Sequence, residues 1–339
     1  MAQSESVRPS LRAPSLGGGR TRVLRSAAGT YGGLVALLVL VAYNGIFNAD
    51  AFFTFSALRV NLTQVAEIVI VAVGMTFVIA TGGIDLSVGS LMAIAGSIAP
   101  LILLSTAAPW DIPWLGGLLA FVIPILVVGV FGSANGFLVA NLRIQPIIAT
   151  LILYISGRGI AQVIAGGRLK SFDEPNWQLI GQGRVLGIPV QAIIMVVIVA
   201  VAAWVLNRTV FGRYVLATGG NEEAARLAGV PVVRIKYAVY ILSAMLAGLA
   251  GLISISINSA SDPANIGENM ELNAIAAVAV GGTSLLGGRA TIWGTFVGAL
   301  IIQLTRYTLL TEGLSDATVR IVTAGAILGA VLLQRRSRR

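Results

Sequence analysis

Val60–Leu104 reads VNLTQVAEIVIVAVGMTFVIATGGIDLSVGSLMAIAGSIAPLILL. Its first part, 60–80, carries a single charge, Glu67, and the part after Asp85 carries none. An uncharged stretch of about 20 apolar residues matches the ~30 Å hydrocarbon core of a bilayer. Between the two parts, Gly82 and Gly83 end one hydrophobic run, and Ser87 and Gly89 begin the next. The pattern predicts a membrane helix, a break in the backbone, and a second helix.

Outward from this stretch the same signature recurs. Hydrophobic segments fall at about 31–47, 60–80, 86–104, 115–140, 146–165, 190–207, 236–257, 272–286, 291–310 and 318–334. Of the 339 residues, 56% are apolar and 11% are charged, and there are 40 glycines. Small residues let helices approach closely in lipid, so the glycine content fits a bundle of spans. The expected fold is all-α, a polytopic transmembrane helix bundle. Segments 86–104 and 272–286 are short or interrupted by glycine and are candidates for re-entrant helices, so eight to ten crossings are expected.

The net charge of +9 sits mainly at the ends. Arg8, Arg12, Arg20, Arg22 and Arg25, set against Glu5, give the first thirty residues +4, and Arg335, Arg336, Arg338 and Arg339 give the last five another +4. Placed beside spans, this charge sets orientation rather than binding nucleic acid. Residues 1–29 are expected to be a disordered basic cytoplasmic tail, 30–334 the transmembrane domain, and 335–339 a second basic cytoplasmic tail. An even number of spans follows.

Threading ten spans from an inside N-terminus puts 105–114, 258–271 and 311–317 outside. These loops carry Asp111, Asp262, Glu268, Glu271, Glu312 and Asp316 and no lysine or arginine. The loop 166–189, with Arg168, Lys170 and Arg184, suits the outside less well. The inside loop 208–235 gathers Arg208, Arg213, Arg226 and Arg234. Trp110, Trp114 and Trp177 lie near expected interfaces and read as aromatic-belt anchors.

Within 208–235 lies a polar island, GGNEEAARLAG, at Gly219–Gly229. Asn221 is placed to cap a helix, Glu222 and Glu223 complement its positive end, and Gly229 followed by Pro231 stops it. Ala224, Leu227 and Ala228 share one face. A helix this short is unstable alone and needs a partner; a plain surface turn is the simpler alternative.

A repeat appears at an offset of 199: Ala80, Gly82, Gly83, Leu86 and Gly89 match Ala279, Gly281, Gly282, Leu285 and Gly288. Six segments separate the copies, which puts both on the same membrane side and argues against an inverted repeat. Coincidence in a glycine-rich chain is the competing explanation.

Several polar residues interrupt the apolar segments. Asp85 is expected either to gate a pathway or to cap the next helix through the amides of Ser87 and Val88. Glu67 shares a face with Thr63 and Gln64; a carboxylate there should look into the bundle, with Arg158, Arg306 and Arg320 as possible partners. Asn135, Gln145 and Thr150 could hydrogen-bond a hydroxylated solute or could join helices. Asp85, Ser87, Glu67, Asn135, Gln145 and Thr150 are thus the candidate pathway or gate residues.

Cysteine and histidine are absent, which excludes disulfides, thiol nucleophiles and imidazole catalysis. No GxSxG or HExxH occurs, so catalysis finds little support, and without GxxxxGK[ST] the chain cannot itself bind ATP in a P-loop. The chain is not expected to be an enzyme or to hold a metal.

TGGIDLSVGS, GGNEEAARLAGV and ELNAIAAVAVGGTSLLGGR, in this order, resemble the membrane permease subunits of ATP-binding-cassette importers for monosaccharides, the ribose and galactose class. The resemblance covers roughly 30–334, and IQPIIATLILYISGRGIAQ looks like the galactofuranose branch. It implies a multi-pass protein of the bacterial cytoplasmic membrane, paired with an identical or related permease chain. The further partners are a cytoplasmic ATPase, a periplasmic sugar-binding protein and membrane lipid. It also implies that Asn221, Glu222, Glu223, Ala224, Ala225, Arg226, Leu227 and Gly229 form a coupling helix. No cofactor is bound by the chain, and ATP is used by the partner. The alternative from another class is an ATP-independent secondary transporter or channel, which would be expected to carry more paired intramembrane charges.

Overall fold

The computed structural model describes residues 18–106, 113–315 and 317–325, with the side chains of 18–31, 113 and 176 left aside. The expected tail over 1–17, Trp110, Asp111, Asp316, the end of the tenth segment and the basic tail 335–339 lie outside the described residues. The expectation of a disordered tail to residue 29 is corrected, because helix α1 (Gly18–Phe47) already begins at Gly18.

Helices are found in each of the ten expected hydrophobic segments, in the tenth over its described part, 318–325. After α1 come a one-turn α2 (Ala49–Phe52), α3 (Phe55–Ala80), α4 (Val88–Leu103), α5 (Pro113–Ala140) and α6 (Pro146–Ala165). A connection follows, with β1 (Lys170–Ser171), α7 (Pro175–Gln182), β2 (Arg184–Val185) and β3 (Ile188–Pro189). Then come α8 (Val190–Arg208), α9 (Val210–Gly220), α10 (Glu222–Leu227), α11 (Val232–Asn258), β4 (Ala260–Ser261), α12 (Met270–Val280) and α13 (Ile292–Thr311). The chain is again helical over 317–325. The strands are two-residue pairs, β1 with β4 and β2 with β3, which tie loops together within an all-α fold.

Five helices are long and apolar enough to cross a membrane: Phe55–Ala80, Trp114–Ala140, Pro146–Ala165, Val190–Arg208 and Val232–Asn258. Gly32–Phe47, Val88–Leu103 and Met270–Val280 are shorter apolar helices. At 1.5 Å per residue, the 11 residues of α12 reach only ~16 Å, about half the hydrocarbon thickness. Segment 272–286 is therefore not a full helical span. Before α12, the turn at Gly267 packs against Gly89 near the start of α4. Glu271, expected in an outer loop, is correspondingly buried in the first turn of α12.

α3 lies at the centre, buried along most of its length and packed by α11, α12, α13 and α8. α11 adds its broadest contact with α5. Closeness there needs glycine: a Cβ on Gly132 of α5 would stand 2.7 Å from the Tyr240 carbonyl oxygen of α11. Such small-residue contacts are how helices gain packing energy where lipid offers no hydrophobic contrast.

Caps set the helix ends. Thr54 accepts from the Ala57 amide at 3.0 Å, Thr209 from Gly212 at 3.2 Å and Thr291 from Gly294 at 3.2 Å. The loops sort into two groups at opposite ends of the bundle. At one end, β1 pairs with β4, Arg158 donates to the Pro263 carbonyl at 3.1 Å, Arg320 pairs with Glu268 at 3.1 Å, and Asn48 donates to Glu312 at 3.0 Å. At the other end, 81–87, 141–145, 209–231 and 281–290 meet. This alternation agrees with the ten-segment threading, including the loop 166–189, whose structure holds it to 259–261. Trp177 is a correction: it is buried against Phe121 and Phe172 rather than anchoring an interface, whereas Trp114 is exposed.

Candidate functional site

The break between α3 and α4 is built by glycine geometry. Gly82 has φ +83°, and the Gly82 and Gly83 amides fold back onto the Ile79 and Val78 carbonyls at 2.9 and 3.1 Å. α12 ends the same way: Gly282 has φ +83°, and the amides of Gly282 and Thr283 reach Ala279 and Val278 at 3.0 and 3.2 Å. In both, the left-handed residue follows the helix and returns its loose carbonyls to amides. The two turns therefore superpose at an offset of 200, one more than the sequence match. Both lie at the same end, as threading required.

Beyond the first turn, Asp85 is fully buried. Its Oδ1 accepts from the Ser87 amide at 3.0 Å and the Ser87 hydroxyl at 2.6 Å, while Oδ2 accepts from the Ser243 hydroxyl of α11 at 3.0 Å. Asn135 of α5 donates to Ser87 Oγ at 2.9 Å. Of the two amides expected for Asp85, Ser87 is taken, but the second oxygen goes to Ser243 rather than to Val88. The carboxylate thus joins three helices instead of merely capping one. Thr150 of α6 braces the same turn, accepting from the Leu86 amide at 3.1 Å. Asp85, Ser87, Asn135 and Thr150 are brought together; Ser243 was missed, because one serine in an apolar run carries no periodic signal.

Glu67 stands apart, in the middle of α3. Its partner is Ser254 of α11 and none of the three arginines proposed for it. Arg158 is occupied by the carbonyls of Pro263 and Ile266, and Arg320 by Glu268. The neighbouring polar residues act as interhelical joints. Gln191 of α8 donates to Thr63 at 2.9 Å, and Gln303 of α13 donates to Gln64 at 2.7 Å.

The polar island forms α10 as its sequence demanded. Asn221 Oδ1 accepts from the Ala224 amide at 3.0 Å, and Gly229 ends the helix with φ +82°. Arg226 pairs with Glu223 at 2.6 Å and Lys236 with Glu222 at 2.7 Å. The hydrogen bond and charge of Arg226 hold the Glu223 carboxyl below the usual range and raise the guanidinium in turn. Six residues span only ~9 Å. Ala225 alone is buried; Ala224 and Ala228 are exposed, and Leu227 is 81% exposed.

The end of α9, directly before α10, packs against both broken turns. A Cβ on Gly219 would collide with the Ala80 carbonyl oxygen, and one on Gly287 would lie 2.8 Å from the Gly82 nitrogen and 2.9 Å from the Gly219 oxygen. The Gly288 amide donates to the Ala80 carbonyl at 3.0 Å. Between α10 and the α5–α6 turn opens a cavity of about 450 Å³, lined among others by Gly82, Gly83, Arg143, Gln145, Glu223 and Tyr240. Gln145 sits on its wall, away from Asp85. The Tyr240 hydroxyl behind it has no hydrogen-bond partner among the described residues, and a Cβ on Gly83 would lie 2.7 Å from its oxygen.

The arrangement offers a short exposed helix at one end, preceded by glycine backbone that packs against two interrupted helices, the first of which leads into a buried polar cluster. Residues 57–333 match the family model described as branched-chain amino acid transport system / permease component. The chain is also similar to the ribose import permease protein RbsC of Haemophilus influenzae, 42% identical over 304 residues, 88% of this chain and 90% of that one. With the galactofuranose transporter permease protein YtfT of Escherichia coli it is 39% identical over 280 residues, covering 80% and 78%. With the fructose import permease protein FruF of Bifidobacterium longum it is 36% identical over 320 residues, covering 89% and 86%.

Proposed function

Since the chain belongs to the branched-chain amino acid transport system / permease component family, and is therefore a multi-pass membrane permease, we propose that it carries a monosaccharide inward and is driven by a separate ATPase seated on α10. The relatives named for ribose, galactofuranose and fructose support a sugar as the solute. A second permease chain, identical or related, and a solute-binding protein at the opposite end complete the assembly in this reading. The end that bears α10 faces the cytoplasm, in keeping with the arginines of 208–235.

One observation carries the mechanism: α10 exposes its apolar face while the end of α9, from which it directly continues, is locked at Gly219 and Gly220 to the turns after α3 and α12. An ATPase that grips α10 and changes shape with nucleotide displaces these turns, because packed glycine backbones transmit a shift instead of absorbing it. The Asp85–Ser87–Asn135 cluster is the gate they move. Asp85, Ser87, Asn135 and Thr150 hold the broken backbone, Gln145 lines the exit, and Glu67 fixes the centre of α3 against α11. A weak polar path suffices, since tight binding would slow release. The chain supplies no cofactor chemistry of its own in this scheme.

Reconstitution into liposomes tests it. Sugar uptake should require the ATPase subunit, the solute-binding protein and ATP together. Uptake by this chain alone would instead establish a secondary transporter or channel.

A further inference from the structure

The turn between α5 and α6 ends α5 in an unusual way. The amides of Asn141 and Leu142 fold back onto the Phe137 carbonyl at 3.0 and 3.3 Å, and that of Ile144 onto Leu138 at 3.1 Å. The left-handed position this closure needs, ordinarily glycine, is held by Arg143 at φ +55°. An arginine kept where glycine would be unstrained points to a use for its side chain. No ion pair among the described residues holds it, although it lies close enough to Glu223 to help keep that carboxyl low.

Arg143 faces α10 across the 450 Å³ cavity. Leu142 beside it is 54% exposed, and Leu227, next to the lining residue Arg226 on α10, is 81% exposed. Arg226 and Lys236 are already neutralised by Glu223 and Glu222. That leaves Arg143, which only assists Arg226 in holding Glu223 low, as the lining cation without an ion pair among the described residues, in a cleft whose wall includes Gly82 and Gly83.

We infer that the cleft between α10 and the α5–α6 turn is a two-sided socket for the ATPase subunit, with Arg143 receiving a carboxylate from a protruding ATPase segment whose apolar neighbours rest on Leu142 and Leu227. This rests on the reading of α10 as the ATPase docking helix and extends the contact to a second loop. The inserted segment touches the Gly82–Gly83 turn directly. Coupling thus reaches the Asp85 cluster by two routes, through the glycine weld and through the socket floor.

The absence of native cysteine makes the test clean. Arg143→Cys, Leu227→Cys and Leu186→Cys, the last at the opposite end of the bundle, are each labelled with a short photocrosslinker in nanodiscs. The ATPase subunit is the one purified and identified from the native membrane complex. Adducts from 143 and 227 but not 186 are expected. Adducts from 227 alone, or lipid adducts alone at 143, overturn the socket while leaving the docking helix intact; none from 227 overturns the docking reading itself. Arg143→Gly supplies the second arm. It should preserve or raise the thermal midpoint, since glycine suits the left-handed position, yet weaken ATPase binding by about tenfold or more. Unchanged binding overturns the proposal.

Discussion

The backbone amide of Gly288, between α12 and α13, donates to the carbonyl of Ala80, the last residue of α3, at 3.0 Å. Two helices that end some two hundred residues apart are thereby stitched together, and Gly219 lies against the same carbonyl.

Gly219→Val places a branched side chain where the Ala80 carbonyl and the Gly288 amide stand. Backbone on both sides leaves nothing to yield, so a cost at or above the usual ~1–3 kcal/mol of overpacking is expected. Thermal unfolding in detergent should show a lower midpoint, and ATP-driven uptake should fall with it. Gly220→Ala, with open space around its Cβ, is the control that leaves both unchanged.

Asp85→Ala strands the Ser87 amide and the Ser243 hydroxyl, each an unsatisfied buried donor at about 1–3 kcal/mol. Asp85→Asn keeps the shape and can still accept. If the carboxylate works as a gate, the asparagine variant folds near normally but transports poorly. Transport at the wild-type rate in a folded alanine variant would leave Asp85 with a structural role alone.

Leu227→Asp combined with Glu223→Lys changes the exposed face of α10 without touching buried Ala225. Membrane insertion and stability should be normal. ATPase binding, followed by surface plasmon resonance on nanodiscs, should weaken by about a hundredfold, a loss of ~2–3 kcal/mol typical of a central interface anchor.

The Glu223–Arg226 pair predicts a pH response. Because the folded carboxyl titrates below its ordinary value of 4.5, the pair's contribution is complete above that value and is lost only as pH falls through the depressed folded one. A spin label on Leu227→Cys should therefore report constant mobility from neutral pH down to the ordinary carboxyl value of 4.5 and loosening only below it. The global unfolding midpoint should not follow this pair, which is fully at the surface. Loosening that begins near pH 6 would exclude Glu223 as its source.

Glu67→Gln retains an acceptor for Ser254, whereas Glu67→Lys brings a long cation into the middle of α3, at roughly the few kcal/mol such burial costs in a membrane. The first variant should fold. The second should be recovered in sharply reduced yield.

The sequence by itself determined the membrane class, the ten helical segments, the capped polar helix at Asn221 and the two glycine breaks. These are local matters: hydrophobic length, a side chain able to reach its own backbone, and a residue tolerant of positive φ are written into short windows. Charge along the loops also indicated which of them share an end, except for 166–189, whose basic residues pointed away from the end to which β1–β4 pairing ties it. Only the tertiary structure decided that Asp85 divides its oxygens between Ser87 and Ser243, that Glu67 meets a serine and not an arginine, and that Glu271 and Trp177 are buried. It alone placed Arg143 across from α10 and joined Gly219, Ala80 and Gly288 in one knot. Such pairings depend on how helices far apart in the chain rotate and slide to close-pack, and no periodicity in a single segment encodes the face that a distant helix will present.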